Sequence, residues 1–175
     1  MSIYQEHLSR HSDIREHLGL LHGLAMNKAV QLRVVELGFR TGVSASAFLA
    51  AGAHLTSYDI DAKCKPHVQR LARDYPKTFV FKVADSRECE IPECDLLFID
   101  TDHTYATTLR ELEKHHEKVR LNIILHDTET FGHKDRKPGT GPGLMQAIGE
   151  FNLAHDWRIR MHLPNNNGLT VLKRR

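Results

Sequence analysis

The chain has 175 residues, 41% of them hydrophobic and 26% charged, with a formal net charge of +2. That length fits one domain with a full core, and the composition excludes a disordered or fibrous chain. The longest apolar stretch, Ala45–Ala53, is broken by a serine and falls far short of the roughly 18 residues that span a bilayer, Met1–Asp13 is too polar for a targeting peptide, and the dispersed cations do not argue for nucleic acid.

In chain order, Asp13–Val30 reads as one leading helix with Ser12 or Asp13 as its N-cap. Arg33–Gly38 is a β-branched strand ending in glycine, and Gly42–Gly52 is a small, apolar, buried helix. His54–Ile60 is a strand, Lys65–Asp74 a helix stopped near Tyr75-Pro76, and Thr78–Ala84 a strand with period-two alternation. Asp95–Asp100 is apolar enough for a central parallel strand. Thr104–Val119 is a helix with Leu109, Leu112 and His116 on one face, and Asn122–Asp127 is a second buried strand. Gly132–Gly143 is a Gly/Pro-rich loop long enough to act as a mobile lid. Leu144–His155 is a helix. Trp157–Leu163 and Leu169–Lys173 are strands joined through an Asn-Gly turn, a hairpin signal. The alternation predicts βαβ units and a parallel sheet that ends in an antiparallel hairpin, all within a single domain spanning 1–175.

The chain has three cysteines, Cys64, Cys89 and Cys94, with no CxxC spacing. They fit reduced thiols and a cytoplasmic setting. Most of the 13 histidines read as solvated surface, including His115 and His116. Those at strand ends merit a chemical reading.

The first strand runs into Glu36-Leu37-Gly38-Phe39-Arg40-Thr41-Gly42. A glycine turn between the first strand and its helix is where doubly wound sheets bind nucleotide-like cofactors. The spacing is G-x-x-x-G, and Arg40 occupies the position where a dinucleotide's pyrophosphate needs glycine. No G-K-[ST] is present, so a Walker loop is excluded. Asp59 ends the second strand, where a carboxylate can accept from a ribose diol. An adenosine without phosphates fits this combination, and S-adenosylmethionine is such a ligand. The plainer reading is that Gly38 and Gly42 only allow a tight turn and close packing, with Asp59 a solvated strand end.

From about Ser12 onward the chain resembles class I S-adenosylmethionine-dependent methyltransferases of a small bacterial and phage group. The resemblance rests on Ser12-Asp13-Ile14-Arg15-Glu16-His17-Leu18, the glycine turn just quoted, Ser57-Tyr58-Asp59-Ile60-Asp61, Phe98-Ile99-Asp100-Thr101-Asp102-His103-Thr104-Tyr105, Leu125-His126-Asp127 and Asn165-Asn166-Asn167-Gly168-Leu169-Thr170-Val171-Leu172. It implies an α/β, doubly wound, Rossmann-like sheet of seven strands, order 3-2-1-4-5-7-6, with the hairpin supplying the last two. It also implies that Glu36, Gly38 and Gly42 lie toward the methionine tail, Asp59 by the ribose, and Asp85 and Ser86 by the adenine. Read without the resemblance, Asp85 serves equally well as a turn or cap residue.

Asp100 and Asp127 end the fourth and fifth strands, where ligands bind in such sheets. Two bare carboxylates on neighbouring strands repel, and a shared proton, a bound cation or a cationic substrate relieves this. His126, Asp102 and His103 stand beside them in sequence. A pair of carboxylates with an imidazole can hold Mg2+ or Mn2+. Equally, Asp100 can bind the cofactor's ammonium group and Asp127 can cap a loop. His126 and Asp127 cannot both point at the site unless the strand has already turned. The resemblance extends to catechol-type methyltransferases, whose metal-ligating aspartates end these two strands. There an Asn follows the second Asp and a lysine serves as base; here Thr128 and His103 hold those positions. His103 is thus a candidate general base titrating near pH 7, or a surface histidine at a helix start. His17 either lines the acceptor pocket or packs on a helix face. The expected activity is methyl transfer to a hydroxyl of a small molecule or sugar, with Asp100 and His103 catalytic. The rivals are a cofactor-binding module without methyl transfer and a metal enzyme of other chemistry. A (D/N)PP(Y/F) tetrad of nucleic-acid enzymes is absent from Asp100-Thr101-Asp102-His103.

Overall fold

Strands and helices alternate along the chain in a computed structural model that describes residues 1–137 and 139–175. The helices are α1 Ile3–Ser9, α2 Leu18–Ala25, α3 Val43–Ala50, α4 Lys65–Asp74, α5 Tyr105–His115 and α6 Leu144–Ala154. The strands are β1 Arg33–Leu37, β2 His54–Asp59, β3 Phe79–Val83, β4 Cys94–Ile99, β5 Val119–His126, β6 Trp157–Leu163 and β7 Leu169–Arg174. They form one sheet of order β3-β2-β1-β4-β5-β7-β6. The first five strands pair in parallel, while β7 pairs antiparallel with both β5 and β6.

The period-two alternation of the central strands supplies two cores. Val34, Leu96, Phe98 and Ile124 face α1–α3 and join Leu18, Leu21 and Phe48. Val35, Leu97, Ile99 and Ile123 face the opposite side and join Leu112, Ile148 and Phe151 of α5 and α6. A sheet covered on both faces needs strands apolar on both faces, which is why β4 reads as a continuous apolar run. Asp59, Asp100 and Asp127 stand at or just past strand ends, while Glu36 is buried within β1. No helix among the described residues is long and apolar enough to cross a membrane.

Three expectations change. The leading helix expected over Asp13–Val30 shortens to a 3₁₀ turn and α2, and a further helix, α1, precedes it. Ser2 and Gln5 form a reciprocal capping box that starts α1. A 3₁₀ turn, Arg15–His17, leads into α2. That helix ends at Ala25, because the Asn27 side chain accepts from the amides of Ala29 and Val30 and diverts the chain into a turn. The helix expected over Thr104–Val119 tightens to a 3₁₀ turn at His116–Lys118, and β5 begins three residues early, at Val119. His115 is buried instead of solvated, with Nε2 donating to the Ser86 carbonyl at 2.7 Å.

Candidate active site

Strands β1 and β4 run side by side and end together, Leu37 opposite Ile99. Gly38 follows at φ +89, and a Cβ there would stand 1.9 Å from the carbonyl oxygen of Asp100. Gly42, at φ +75, would press a Cβ onto the Phe39 ring and Leu71 at 2.7 and 2.8 Å. Both glycines are therefore required by packing alone. Asp59 organises the turn between them. Its Oδ2 accepts from the amides of Phe39 (3.0 Å) and Arg40 (2.8 Å), and its Oδ1 from that of Asp61 (2.8 Å). Arg40 adopts φ 49 and pairs with Asp13 at 2.5 Å across the cavity mouth.

A cavity of about 720 Å³ opens above these strand ends. Gly38, Asp59, Asp85, Ser86, Asp100, His103 and Asp127 all line it. Glu36 and Gly42 do not; they lie behind its wall. Glu36 is fully buried, and the hydroxyls of Ser44 and Ser57 each donate to its carboxyl at 2.5 Å. Burial pushes its pKa up to about 8 against those two bonds. Asp85 is clasped by the Arg87 guanidinium at 2.6 and 3.0 Å and by the Arg87 amide, which hold its carboxyl down at about 2. Ser86 donates to Glu111 at 2.5 Å, and Thr101 donates to the other oxygen of Glu111 at 3.0 Å. Glu111 thus ties the turn after β3 to the turn after β4 from below, and burial raises it to about 7. Sequence reasoning missed it. Its signal was a helical stripe that proves buried throughout: Thr107, Thr108, Glu111, Leu112 and His115.

Asp100, His103 and Asp127 converge at the other end of the cavity. His103 Nε2 lies 2.9 Å from Asp100 Oδ1 and 3.0 Å from Asp127 Oδ2, so one imidazole bridges the two strand-end carboxylates. Asp127 sits at φ 59 and His103 at φ 51. The chain has therefore already turned after β5, and His126 and Asp127 both face the cluster: His126 Nδ1 is 3.6 Å from Asp100 and 3.7 Å from Asp127. Left-handed backbone at two non-glycine residues is strain of the kind that gathers at working sites. The Phe131 ring stacks on His103 at 5.2 Å and 8°.

His103 is no surface residue, and it does not titrate near pH 7. Burial alone would lower its pKa; the bonds and charges of Asp100 and Asp127 override this and raise it to about 9. Burial would raise Asp100, yet the hydrogen bond from His103 and the nearby His126 imidazole hold it well below the usual carboxylate range. The expected repulsion between the carboxylates is met here by an imidazolium. The same groups also suit a hard cation, since ligand atoms from Asp100, His103 and Asp127 all lie within 4.8 Å of one another. Asp127 Oδ1 and the Nδ1 atoms of His103 and His126 are buried without a hydrogen-bond partner among the described residues. Thr128 takes no part in this cluster; its hydroxyl accepts from Thr170 at 2.9 Å. His17, buried in the 3₁₀ turn before α2, neither lies on a helix face nor lines the cavity; its Nε2 donates to the Asn165 carbonyl at 2.9 Å and its ring is edge-on to His126. Asp102 lines the cavity 3.7 Å from Lys137 Nζ.

The profile of a family described as a methyltransferase domain matches residues 35–128, the span that carries the glycine turn, Asp59, Asp85, Asp100 and Asp127. The chain belongs to this family. It is a class I S-adenosylmethionine-dependent methyltransferase, and its strand order is the one that the resemblance implied. No curated protein sequence matches the methyltransferase. Among solved structures it is similar to the Podospora anserina methyltransferase PaMTH1 bound to S-adenosylhomocysteine, at 14% identity over 98% of this chain and 86% of that one, TM-score 0.69. It is also similar to the 1,6-didemethyltoxoflavin-N1-methyltransferase of Burkholderia thailandensis (15%, 97% and 81%, 0.68). A third is the N-methyltransferase NodS of Bradyrhizobium japonicum (11%, 95% and 90%, 0.72). At these identities the structures share the fold of this methyltransferase.

Proposed function

We propose that the protein, acting as one domain in the cytoplasm, moves the methyl group of S-adenosylmethionine to a hydroxyl of a small molecule or sugar. We further propose that Asp100 and Asp127 hold Mg2+ or Mn2+ during transfer. The convergence of Asp100, His103 and Asp127 on one point of the cavity carries this reading. Gly38, Asp59, Asp85 and Ser86 line the adenosine side, with Asp100 at the ammonium end. Glu36 and Gly42 support that side from behind.

Transfer is an in-line displacement: an acceptor oxygen lone pair forms the new C–O bond, the sulfonium C–S bond breaks, and the hydroxyl proton must leave. A divalent ion, when bound, makes an alcohol more acidic. His103 is the residue placed to take that proton, and it can do so only when neutral. His103 would be neutral if a cation held by Asp100 and Asp127 balanced their charge in place of its proton. The small-molecule acceptor is supported by the Burkholderia structure, described with bound 1,6-didemethyltoxoflavin. A metal-free variant of the same reaction is favoured by one observation: His103, bridging both carboxylates and raised to about 9, already balances them. In that variant the imidazolium first gives its proton to solvent and the neutral ring then takes the acceptor's, so the rate should climb as pH rises toward about 9.

Calorimetry and thermal unfolding separate the two. S-adenosylhomocysteine should bind, and Asp59→Ala should weaken it by about 1–3 kcal/mol, the usual cost of stranding polar partners. Mn2+ should raise the melting temperature of wild type but not of Asp127→Asn. His103→Gln should keep the Mn2+ response if His103 is the base and lose it if His103 is a ligand. No response in wild type removes the metal and leaves the metal-free reaction.

A further inference from the structure

The segment Gly132–Gly143, expected as a mobile lid and described here except for Pro138, carries at Asp135 a buried carboxylate outside the proposed catalytic roles. Asp135 Oδ1 accepts from the amide of Tyr105 at 2.8 Å, the first residue of α5. The same oxygen accepts from the amide of Gly143 at 3.1 Å, the N-cap of α6. Its Oδ2 accepts from the Thr140 hydroxyl at 3.0 Å. One side chain therefore joins two helix N-termini, where backbone donors lack partners and a negative charge is favoured. The fit is close. A Cβ on Gly141 would stand 2.6 Å from Asp135 Oδ2, and one on Gly143 would stand 2.5 Å from the backbone of Phe131, Gly132 and Lys134.

This bracket reaches the cluster by two routes. The amide next to Asp135, that of Arg136, donates to the His103 carbonyl at 3.0 Å. The first amides of α6, Leu144 and Met145, donate to the carbonyls of Phe131 and Gly132, which fixes the Phe131 ring on the His103 ring. His103 is held at φ 51, a conformation that a histidine keeps only when its surroundings impose it.

We propose that Asp135 is a positioning residue: by clamping the N-termini of α5 and α6 it holds the His103 ring between Asp100 and Asp127. The inference rests on the proposed role of His103 in transfer. Its test needs neither cofactor, metal nor acceptor, so it can fail or succeed independently of that role.

The chemistry of the clamp yields a discriminating pair of variants. Both backbone bonds go to Oδ1, so Asp135→Asn can keep them, whereas Asp135→Ala removes both. In histidine-ring NMR spectra of the ligand-free protein, the His103 signals should carry the ring-current shift of Phe131. Asp135→Ala should abolish that shift and speed exchange of the Tyr105 and Gly143 amides by roughly tenfold or more. Asp135→Asn should restore both. A role confined to helix stability would leave the His103 signals in place. Unchanged His103 signals in a folded Asp135→Ala, or no rescue by Asp135→Asn, overturns the proposal. If Asp135→Ala does not fold, wild type decides: through-hydrogen-bond couplings from the Tyr105 and Gly143 amides to the Asp135 carboxyl carbon are expected, and their absence overturns it.

Discussion

At the scale of single residues, the cavity floor is set by Gly38. The site needs β1 and β4 to end so close together that Asp100 emerges directly over the turn, and no side chain fits between. Gly38→Ala combines a left-handed backbone with a clash against main chain that cannot rotate away. The expected loss is about 2–5 kcal/mol, summing the conformational and overpacking penalties, read by urea unfolding. A loss below about 1 kcal/mol would show that the strand ends separate easily. The same residue shows what a sequence conveys at this scale. The G-x-x-x-G spacing marked the turn, but whether its glycines serve a ligand or the packing depends on which atoms lie opposite, and here they are Asp100, Phe39 and Leu71. Asp59, Asp100 and Asp127 could be picked out because they stand at strand ends, on the side of a parallel sheet where ligands bind, although Asp59 proves also to hold the glycine turn. Glu111 and Asp135 were not, because a carboxylate in a helix or loop looks solvated until its burial is known.

At the scale of elements, the β6–β7 connection does more than reverse the chain. Asn166 and Asn167 adopt φ 47 and 72, and the loop binds the N-terminal segment. Asn166 Oδ1 accepts from the Glu16 amide at 2.9 Å, and the Asn165 amide group donates to the Glu16 carboxylate at 2.8 Å. On its other side the Asn166 carbonyl accepts from His126 at 3.2 Å. The hairpin signal in the sequence was correct, yet two of its three asparagines, Asn165 and Asn166, spell a junction between residues some 150 positions apart. Asn166→Ala should cost about 1–2 kcal/mol, from one lost bond to a backbone donor and a residue less tolerant of positive φ. Hydrogen exchange should locate the loosening in Arg15–His17 and α2 while β1 and β4 stay protected. Uniform loosening would mean that the loop supports the sheet and not the N-terminal segment.

At the scale of the whole molecule, the cavity walls stand on two buried acids, Glu36 and Glu111, raised from 4.5 to about 8 and about 7. In the unfolded chain both ionise near 4.5; in the folded protein they stay protonated to higher pH. Their contribution to stability is therefore complete below about pH 4.5 and is lost as pH rises to about 7 for Glu111 and about 8 for Glu36. His103, also raised, acts in the same direction, so the variants carry the test. Glu36→Gln and Glu111→Gln should flatten the decline in melting temperature between pH 5 and 8 relative to wild type. An equal or steeper decline in both variants would mean that the two acids ionise normally.

The alternation of strands and helices, the apolar runs of β4 and β5 and the terminal hairpin followed from local pattern, because residue periodicity alone decides which faces can be buried. The carboxylates at the ends of β2, β4 and β5 were visible for the same reason: polar residues must leave the core where a strand ends. What only the tertiary structure decided is how those ends combine. That His103 bridges Asp100 and Asp127, that His126 turns toward them, that Glu36 lies behind the cavity wall, and that Asp135 joins the starts of α5 and α6 all depend on contacts between distant segments. Such contacts are set by turn geometry at a few left-handed residues, and rotating one peptide there redirects a side chain by several ångströms without changing any pattern in the sequence.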